Sequence, residues 1–258
     1  MYLRVAKIRT FAGKTPLTNA TGFFYQHDDF LYLVTSLHVV INETTLHRPD
    51  RLSLSLHVDA KHLQRRDETS IPLYVDGLPQ WYQHSRCRAA DVVAVAVNDP
   101  HLLCNHCISP FRSDDIVNMG EVMPMGQDVL ILGFPLGFHD TVHNLPIVRS
   151  AILASSFSHP FNGEPYFLTD ARLHRGMSGS PVIVRSTSQY DDSAGHAPET
   201  KWRLLGIHSS SLDVSDRDPN QDERLGLNTA LYASLLPEML PSRLKVPAGA
   251  GLDALANR

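Results

Sequence analysis

Apolar residues come in short runs spaced for strands. Leu52, Leu54, Leu56 and Val58 alternate with polar neighbours, a period of two that predicts a half-buried strand over 52–58. Residues 3–11, Thr21–Tyr25 and Phe30–Thr35 predict three more strands, the last two joined by a polar turn at Gln26–Asp29. The apolar run from Phe30 continues through Ser36-Leu37-His38-Val39-Val40, so His38 closes a strand. Residues 59–70 are polar and predict a hairpin loop, with a short strand over 71–75. Ala89–Val97 reads as a buried strand led by one carboxylate, Asp91. Residues 100–124 carry Pro, Ser, Asn and Gly and predict an irregular linker. Strands are then expected at 128–134, 147–157, 165–169, 181–185, 202–209 and 227–230, with a helix over 230–240. Residues 186–200 read as an exposed insertion, and 213–224 as a polar loop with five acidic side chains. From Pro241 the tail is rich in Ala, Gly and Pro. Many short strands and few helices predict an all-β barrel or sandwich.

The candidate chemistry centres on Gly176-Met177-Ser178-Gly179-Ser180-Pro181. Glycine frees the backbone to turn sharply and lets a reacting carbonyl come close. A serine on such a turn can expose its hydroxyl while backbone N–H groups converge where an oxyanion would form. A serine hydroxyl is a weak nucleophile at neutral pH, so it needs a base, and the base needs an orienting acid. His38 and Asp91, each at the end of an apolar strand in the first half, are the candidates. The order His, Asp, Ser over two β halves is that of the chymotrypsin-like triad. An α/β-hydrolase would place serine first, on a sheet alternating with helices.

With these residues in view, the chain resembles the trypsin-like serine peptidases of the chymotrypsin fold, most closely their bacterial high-temperature-requirement branch. Val34-Thr35-Ser36-Leu37-His38-Val39 resembles the segment around the family's histidine, and Asp91-Val92-Val93-Ala94-Val95 that around its aspartate. Gly133-Phe134-Pro135-Leu136-Gly137 is similar to a turn of that branch. Thr169-Asp170-Ala171 followed by Gly176–Pro181 resembles the nucleophile loop, and Gly206-Ile207-His208-Ser209 the strand lining the first specificity pocket. The resemblance spans residues 5–240. It implies two six-stranded β-barrels with a short C-terminal helix. The domains would be 1–105 with His and Asp, a linker at 106–124, 125–240 with Ser, and a tail at 241–258.

The resemblance also implies roles. Ser178 would attack the scissile carbonyl, His38 would shuttle the proton, and Asp91 would fix the imidazole. The N–H groups of Gly176 and Ser178 would form the oxyanion hole. Ser209 would lie beside Asp91, and Arg172, Leu173, His208, Ser209, Ser210 and Ser211 would shape the pocket. His208 is similarly placed to a histidine that selects glutamine in picornaviral main proteases. Met177 stands where digestive enzymes carry the aspartate that pairs with a new N-terminus, so something else must hold the oxyanion loop.

Composition narrows the rest. Over 258 residues the net charge is -4, which offers no field for nucleic acid or an anionic membrane surface. No apolar run is long enough for a bilayer helix, and the N-terminus lacks a signal-peptide pattern, so the expected location is cytoplasmic. Three cysteines form no secreted disulfide framework. His84 and Cys87, with His101, Cys104 and Cys107, have spacings that can suit zinc, but reduced buried thiols are the commoner outcome, so no metal and no cofactor is expected. The expected activity is endopeptidase action on a protein or peptide, with room for a regulatory protein partner. The alternative is a catalytically silent fold that binds peptides in the same cleft, and an esterase would share the chemistry.

Overall fold

In the computed structural model the first half of the chain forms an antiparallel sheet in the order β5-β4-β1-β2-β3-β9-β8. The described residues are 1–85, 87, 90–97, 99–187, 200–211 and 226–241, without the side chains of 187, 200 and 211. The strands are β1 (Val5–Ala12), β2 (Thr15–His27), β3 (Phe30–Thr35), β4 (Arg51–His57), β5 (Arg66–Pro72), β8 (Trp81–Tyr82) and β9 (Val93–Ala96). A small hairpin, β6 (Tyr74–Val75) with β7 (Leu78–Pro79), lies beside it. The second sheet runs β11-β10-β13-β14-β15-β12. Its members are β10 (Asp128–Gly133), β11 (Ile147–Ile152), β12 (Tyr166–Thr169), β13 (Pro181–Thr187), β14 (Thr200–Ser211) and β15 (Asn228–Tyr232). Both sheets curl into half-barrels, and the fold is all-β and chymotrypsin-like.

Burial explains the two hydrophobic patterns. Leu52, Leu54 and Leu56 of β4 point into the first barrel with Ile8 opposite Leu54, so one face alternates with the other. β3 and β9 are apolar throughout because both of their faces are covered. Leu33, Val93 and Val95 fill the first barrel. Tyr32, Val34 and Ala94 face a separate cluster shared with Leu132, Ile183, Leu204 and Ile207 of the second sheet. That cluster is the contact between barrels. A third, with Ile131, Phe157, Phe167 and Val182, is the core of the second barrel. Truncating a fully buried leucine such as Leu33 to alanine is expected to cost about 2–5 kcal/mol.

Four expectations need correction. His38 does not close a strand: β3 stops at Thr35, and His38 lies in a single helical turn, α1 (Leu37–Val40). The polar stretch 59–70 is half strand, since β5 begins at Arg66 and pairs with β4 through Leu56 and Asp67. Its charged residues suit a sheet edge. The stretch after 100 opens with a helix, α2 (Pro100–Asn105), whose N-cap Asp99 accepts the N–H of His101. The helix expected over 230–240 is shorter, α3 (Leu235–Met239), because β15 runs to Tyr232.

The connecting segment is stitched down rather than loose. The amides of Gln26 and Phe111 donate to the carbonyls of Phe111 and Phe24, and that of Val117 donates to Leu204 of β14. Arg203 clasps Glu121 and donates to the Ile116 carbonyl at 2.7 Å. Most of the expected insertion at 186–200, the acidic loop at 213–224 and nearly all of the tail from Pro241 lie outside the described residues.

Candidate active site

His38 and Asp91 meet at the end of the first sheet. β3 and β9 are antiparallel neighbours, Thr35 opposite Val93, so the residues just beyond these strand ends share one rim. Asp91 Oδ2 is 2.8 Å from His38 Nδ1, and Oδ1 accepts the backbone N–H of His38 at 3.0 Å. Ser209 Oγ, arriving on β14 from the second barrel, donates to Oδ2 at 2.6 Å. Burial pushes the Asp91 carboxyl up, but the hydrogen bonds from His38 and Ser209 and the nearby imidazole outweigh it, holding the group below the usual carboxylate range. An ionised acid accepting from Nδ1–H selects the tautomer in which the lone pair is on Nε2.

Ser178 is half-buried on a turn set by two left-handed glycines, Gly176 (φ 93°) and Gly179 (φ 84°). A Cβ on Gly176 would sit 2.6 Å from the Phe134 carbonyl oxygen. On Gly179 it would strike the Thr21 carbonyl and come within 2.5 Å of Thr35 Oγ1. No other residue type fits either position. Ser178 Oγ forms no hydrogen bond with His38 among the described residues. Catalytic hydrogen bonds in this class commonly tighten only with substrate present.

The question posed by Met177 has a structural answer. Its side chain is fully buried in the second-barrel core and pairs with no charge. The loop is held instead from Phe134-Pro135-Leu136. The Leu136 N–H donates to the Arg175 carbonyl at 2.6 Å. The carbonyl of Arg175 and the N–H of Gly176 belong to one planar trans peptide and point opposite ways. Gripping the carbonyl therefore turns the N–H into the concave side of the turn. The N–H groups of Gly176 and Ser178 have no acceptor among the described residues, the condition of an anion-binding turn.

Thr21, fully buried on β2, ties these parts together and was read in the sequence only as a strand residue. Its Oγ1 donates to the Gly176 carbonyl at 2.7 Å and accepts the Phe134 N–H at 3.0 Å. Its own N–H donates to the Ser178 carbonyl, and its carbonyl accepts Thr35 Oγ1 at 2.8 Å. The hydroxyl and the N–H of this residue thus span to the Ser178 loop and its support, while its carbonyl is tied to β3. A hydroxyl inside an apolar strand was the available signal, because such a group must find partners when buried.

The expected pocket residues divide. His208 is buried, and its backbone clasps the loop: its carbonyl accepts the Gly179 N–H and its N–H donates to the Ser180 carbonyl, both at 2.8 Å. Burial first, then the His38 charge, lowers its imidazole to about 4, so it is neutral at pH 7. Its Nδ1 is buried without a hydrogen-bond partner. Ser210 is exposed beside Thr229, and Ser211 pairs by its backbone with Asn228. Arg172 is exposed and Leu173 half-buried against the second core. His84 bonds to Glu238 and accepts the Cys87 N–H, while Cys104 is exposed on α2. No cluster of three metal-ligating side chains occurs among the described residues. No helix among them is long and apolar enough to cross a membrane.

Comparison with known proteins agrees with this geometry. No curated protein matches the chain. Among solved structures, Rv3671c from M. tuberculosis, a serine-to-alanine mutant in an inactive form, is 18% identical over 92% of this chain and 85% of that one, with a TM-score of 0.48. The serine endoprotease from Yersinia pestis is 14% identical, with a TM-score of 0.50 over 91% of this chain and 60% of that one. That similarity is one of fold. The family model of the trypsin-like peptidase domain matches residues 20–189, which include His38, Asp91 and Ser178 and cover more than half of the chain. This chain belongs to the trypsin-like serine peptidase family.

Proposed function

We propose that the protein is a serine endopeptidase of protein or peptide substrates, working through an acyl-enzyme. His38 Nε2 takes the Ser178 proton as Oγ attacks the scissile carbonyl, then protonates the leaving amine. Asp91 holds the imidazole tautomer and stabilises the imidazolium. The oxyanion of the tetrahedral intermediate accepts the N–H groups of Gly176 and Ser178, each donor contributing on the order of 3 kcal/mol. Water then repeats the sequence on the acyl-enzyme, with His38 again as base. In this reading Arg172, Leu173 and residues 208–211 shape the first substrate pocket, and the Gly133–Gly137 turn supports kinship with the high-temperature-requirement branch.

The observation that carries this reading is the Asp91 carboxylate, bonded at once to the His38 ring, the His38 backbone and Ser209. Such a set orients an imidazole and has no evident purpose in a passive groove. The absence of a Ser178–His38 hydrogen bond among the described residues favours the alternative, a silent peptide-binding cleft. A fluorophosphonate probe separates the two. Stoichiometric labelling of the native protein, lost in Ser178→Ala and in His38→Ala, is expected. A well-folded native protein that resists the probe would sink the peptidase assignment and leave the binding cleft.

A further inference from the structure

The outer face of the first sheet holds a second polar site. On β1, β4 and β5 the residues that alternate with the core leucines point outward: Lys7 and Arg9, Ser53 and Ser55, Arg66 and Glu68. Open solvent would be the usual neighbour of such a face. Here a loop of the second barrel, residues 138–145, closes over it. Arg66 donates to the carbonyls of Thr141 and Val142 at 3.2 and 3.1 Å. His57 Nε2 meets the His143 carbonyl at 2.7 Å, and Asn144, buried with a left-handed φ of 54°, donates to the Ser55 carbonyl at 3.0 Å. The space between loop and sheet is a cavity of about 100 Å³, also lined by His139.

Charge in this cavity does not balance. Lys7, Arg9 and Arg66 face a single carboxylate, Glu68, an excess of two positive charges. Glu68 is already engaged by Arg9 at 3.0 Å and by the buried Ser53 hydroxyl at 3.1 Å. Lys7 has neither hydrogen bond nor ion pair among the described residues, and the Ser55 hydroxyl has no hydrogen bond there. Burial and the nearby Arg9 and Arg66 outweigh the attraction of Glu68 and hold the Lys7 ammonium below its ordinary range. A half-buried ammonium amid excess positive charge is costly, and a bound anion would offset that cost. Free donors from Lys7, a point charge of the kind that binds phosphate, and Ser55 suit one small oxyanion in this space.

We propose that the cavity between the outer face of β1-β4-β5 and the 138–145 loop binds one phosphate-type oxyanion, with Lys7 as its principal ligand and Ser55 as a second donor. Bound there, the anion links the first sheet to the loop of the second barrel. The test is calorimetric titration of the full chain with inorganic phosphate at constant ionic strength in a chloride background. Saturable one-to-one binding is expected, weakened at least tenfold in Lys7→Met and about threefold in Ser55→Ala. Thermal unfolding without phosphate checks that both variants fold. If Lys7→Met does not fold, the Ser55→Ala titration decides. No saturable heat in the native protein, or unchanged affinity in the folded variants, overturns the proposal. A parallel titration with O-phosphoserine tells the source of the anion. Tighter inorganic phosphate assigns the site to the free ion, and tighter phosphoserine to a phosphomonoester, with Lys7 dependence required of both.

Discussion

The two halves of the proposed catalytic site are built by different means. The His38–Asp91 half is joined chiefly by side chains on one rim of the first barrel, with Ser209 as its side-chain hydrogen bond to the second among the described residues. The Ser178 half is a matter of backbone. Two peptide N–H groups are aimed by partners on other segments: Leu136 grips the Arg175 carbonyl, Thr21 grips those of Gly176 and Ser178, and His208 grips Gly179 and Ser180. One of these partners, Thr21, belongs to the other barrel. The base can therefore be assembled locally, whereas the oxyanion turn needs the barrels docked. A defect in packing between them should reach the nucleophile first.

The comparison breaks most sharply at Asp91. Asp91→Asn keeps the shape but offers an N–H where the Nδ1 proton must be accepted, which favours the wrong imidazole tautomer. The turnover number is expected to fall about 10⁴-fold, as for this exchange in triads generally. The oxyanion turn should be untouched, so a peptide aldehyde or boronate that depends on Ser178 is a poor control. Hydrogen exchange at Gly176 and Ser178 is the better one, and faster exchange there would mean the halves are not independent.

His208 gives the next largest effect, on stability rather than rate. Its folded pKa, about 4, lies below its ordinary 6.5. Between these values the unfolded chain binds the proton more readily, so folding stability is complete above pH 6.5 and falls as pH drops towards 4. The shift corresponds to about 3 kcal/mol. Urea denaturation at pH 7 and pH 4.5 should show most of this loss in the native protein, and His208→Leu should flatten it. An equal slope in the variant would place the acid sensitivity elsewhere.

Thr21→Val tests the cross-barrel brace directly. It removes one hydroxyl while keeping shape, and frees the Gly176 carbonyl and the Phe134 N–H. The expected fall is about 10- to 100-fold in kcat with little change in KM, and about 1–3 kcal/mol of stability is lost. Thr21→Ser should recover most of the rate. The imidazole proton resonances of His38 should not move. A KM effect of similar size, or no rescue by serine, would mean that Thr21 acts only through general packing.

What was legible in the sequence follows the same division. Alternation in Leu52–Leu56 and the apolar runs at Leu31–Val34 and Val92–Val95 show where strands must lie, because burial on one or two faces imposes those patterns. His38, Asp91 and Ser178 were legible from residue type, order and flanking glycines. β5 was not, since an edge strand bearing Arg66, Asp67 and Glu68 looks like a loop when its pairing with β4 is unseen. The short α2 left a trace in Asp99-Pro100, a cap followed by a first-turn proline, which the polar context obscured. Thr21 and Leu136 were visible only as a strand hydroxyl and a member of a turn, and the partners they hold were not legible. Their importance comes from carbonyls more than 35 residues away, and no local pattern encodes which strand or turn lies beneath a loop.

The smallest predicted effect probes the hydrogen bond from the second barrel to Asp91. Ser209→Ala removes a 2.6 Å hydrogen bond to Asp91 but leaves both bonds from His38. The carboxylate keeps its imidazole, so kcat/KM should fall only about threefold to tenfold. A second signature separates this from a packing defect. The Asp91 carboxyl is held below its ordinary 3.8, so its contribution to stability is present above that value and lost as pH falls through the folded pKa. Without Ser209 the folded pKa moves up towards 3.8 and that contribution shrinks, so the acid loss still begins near 3.8 but is smaller and is complete at a higher pH. Burial, which pushes the carboxyl up, then meets less opposition. If the rate falls as far as in Asp91→Asn, the serine on the second barrel is setting the position of Asp91, and the base half is not locally assembled after all.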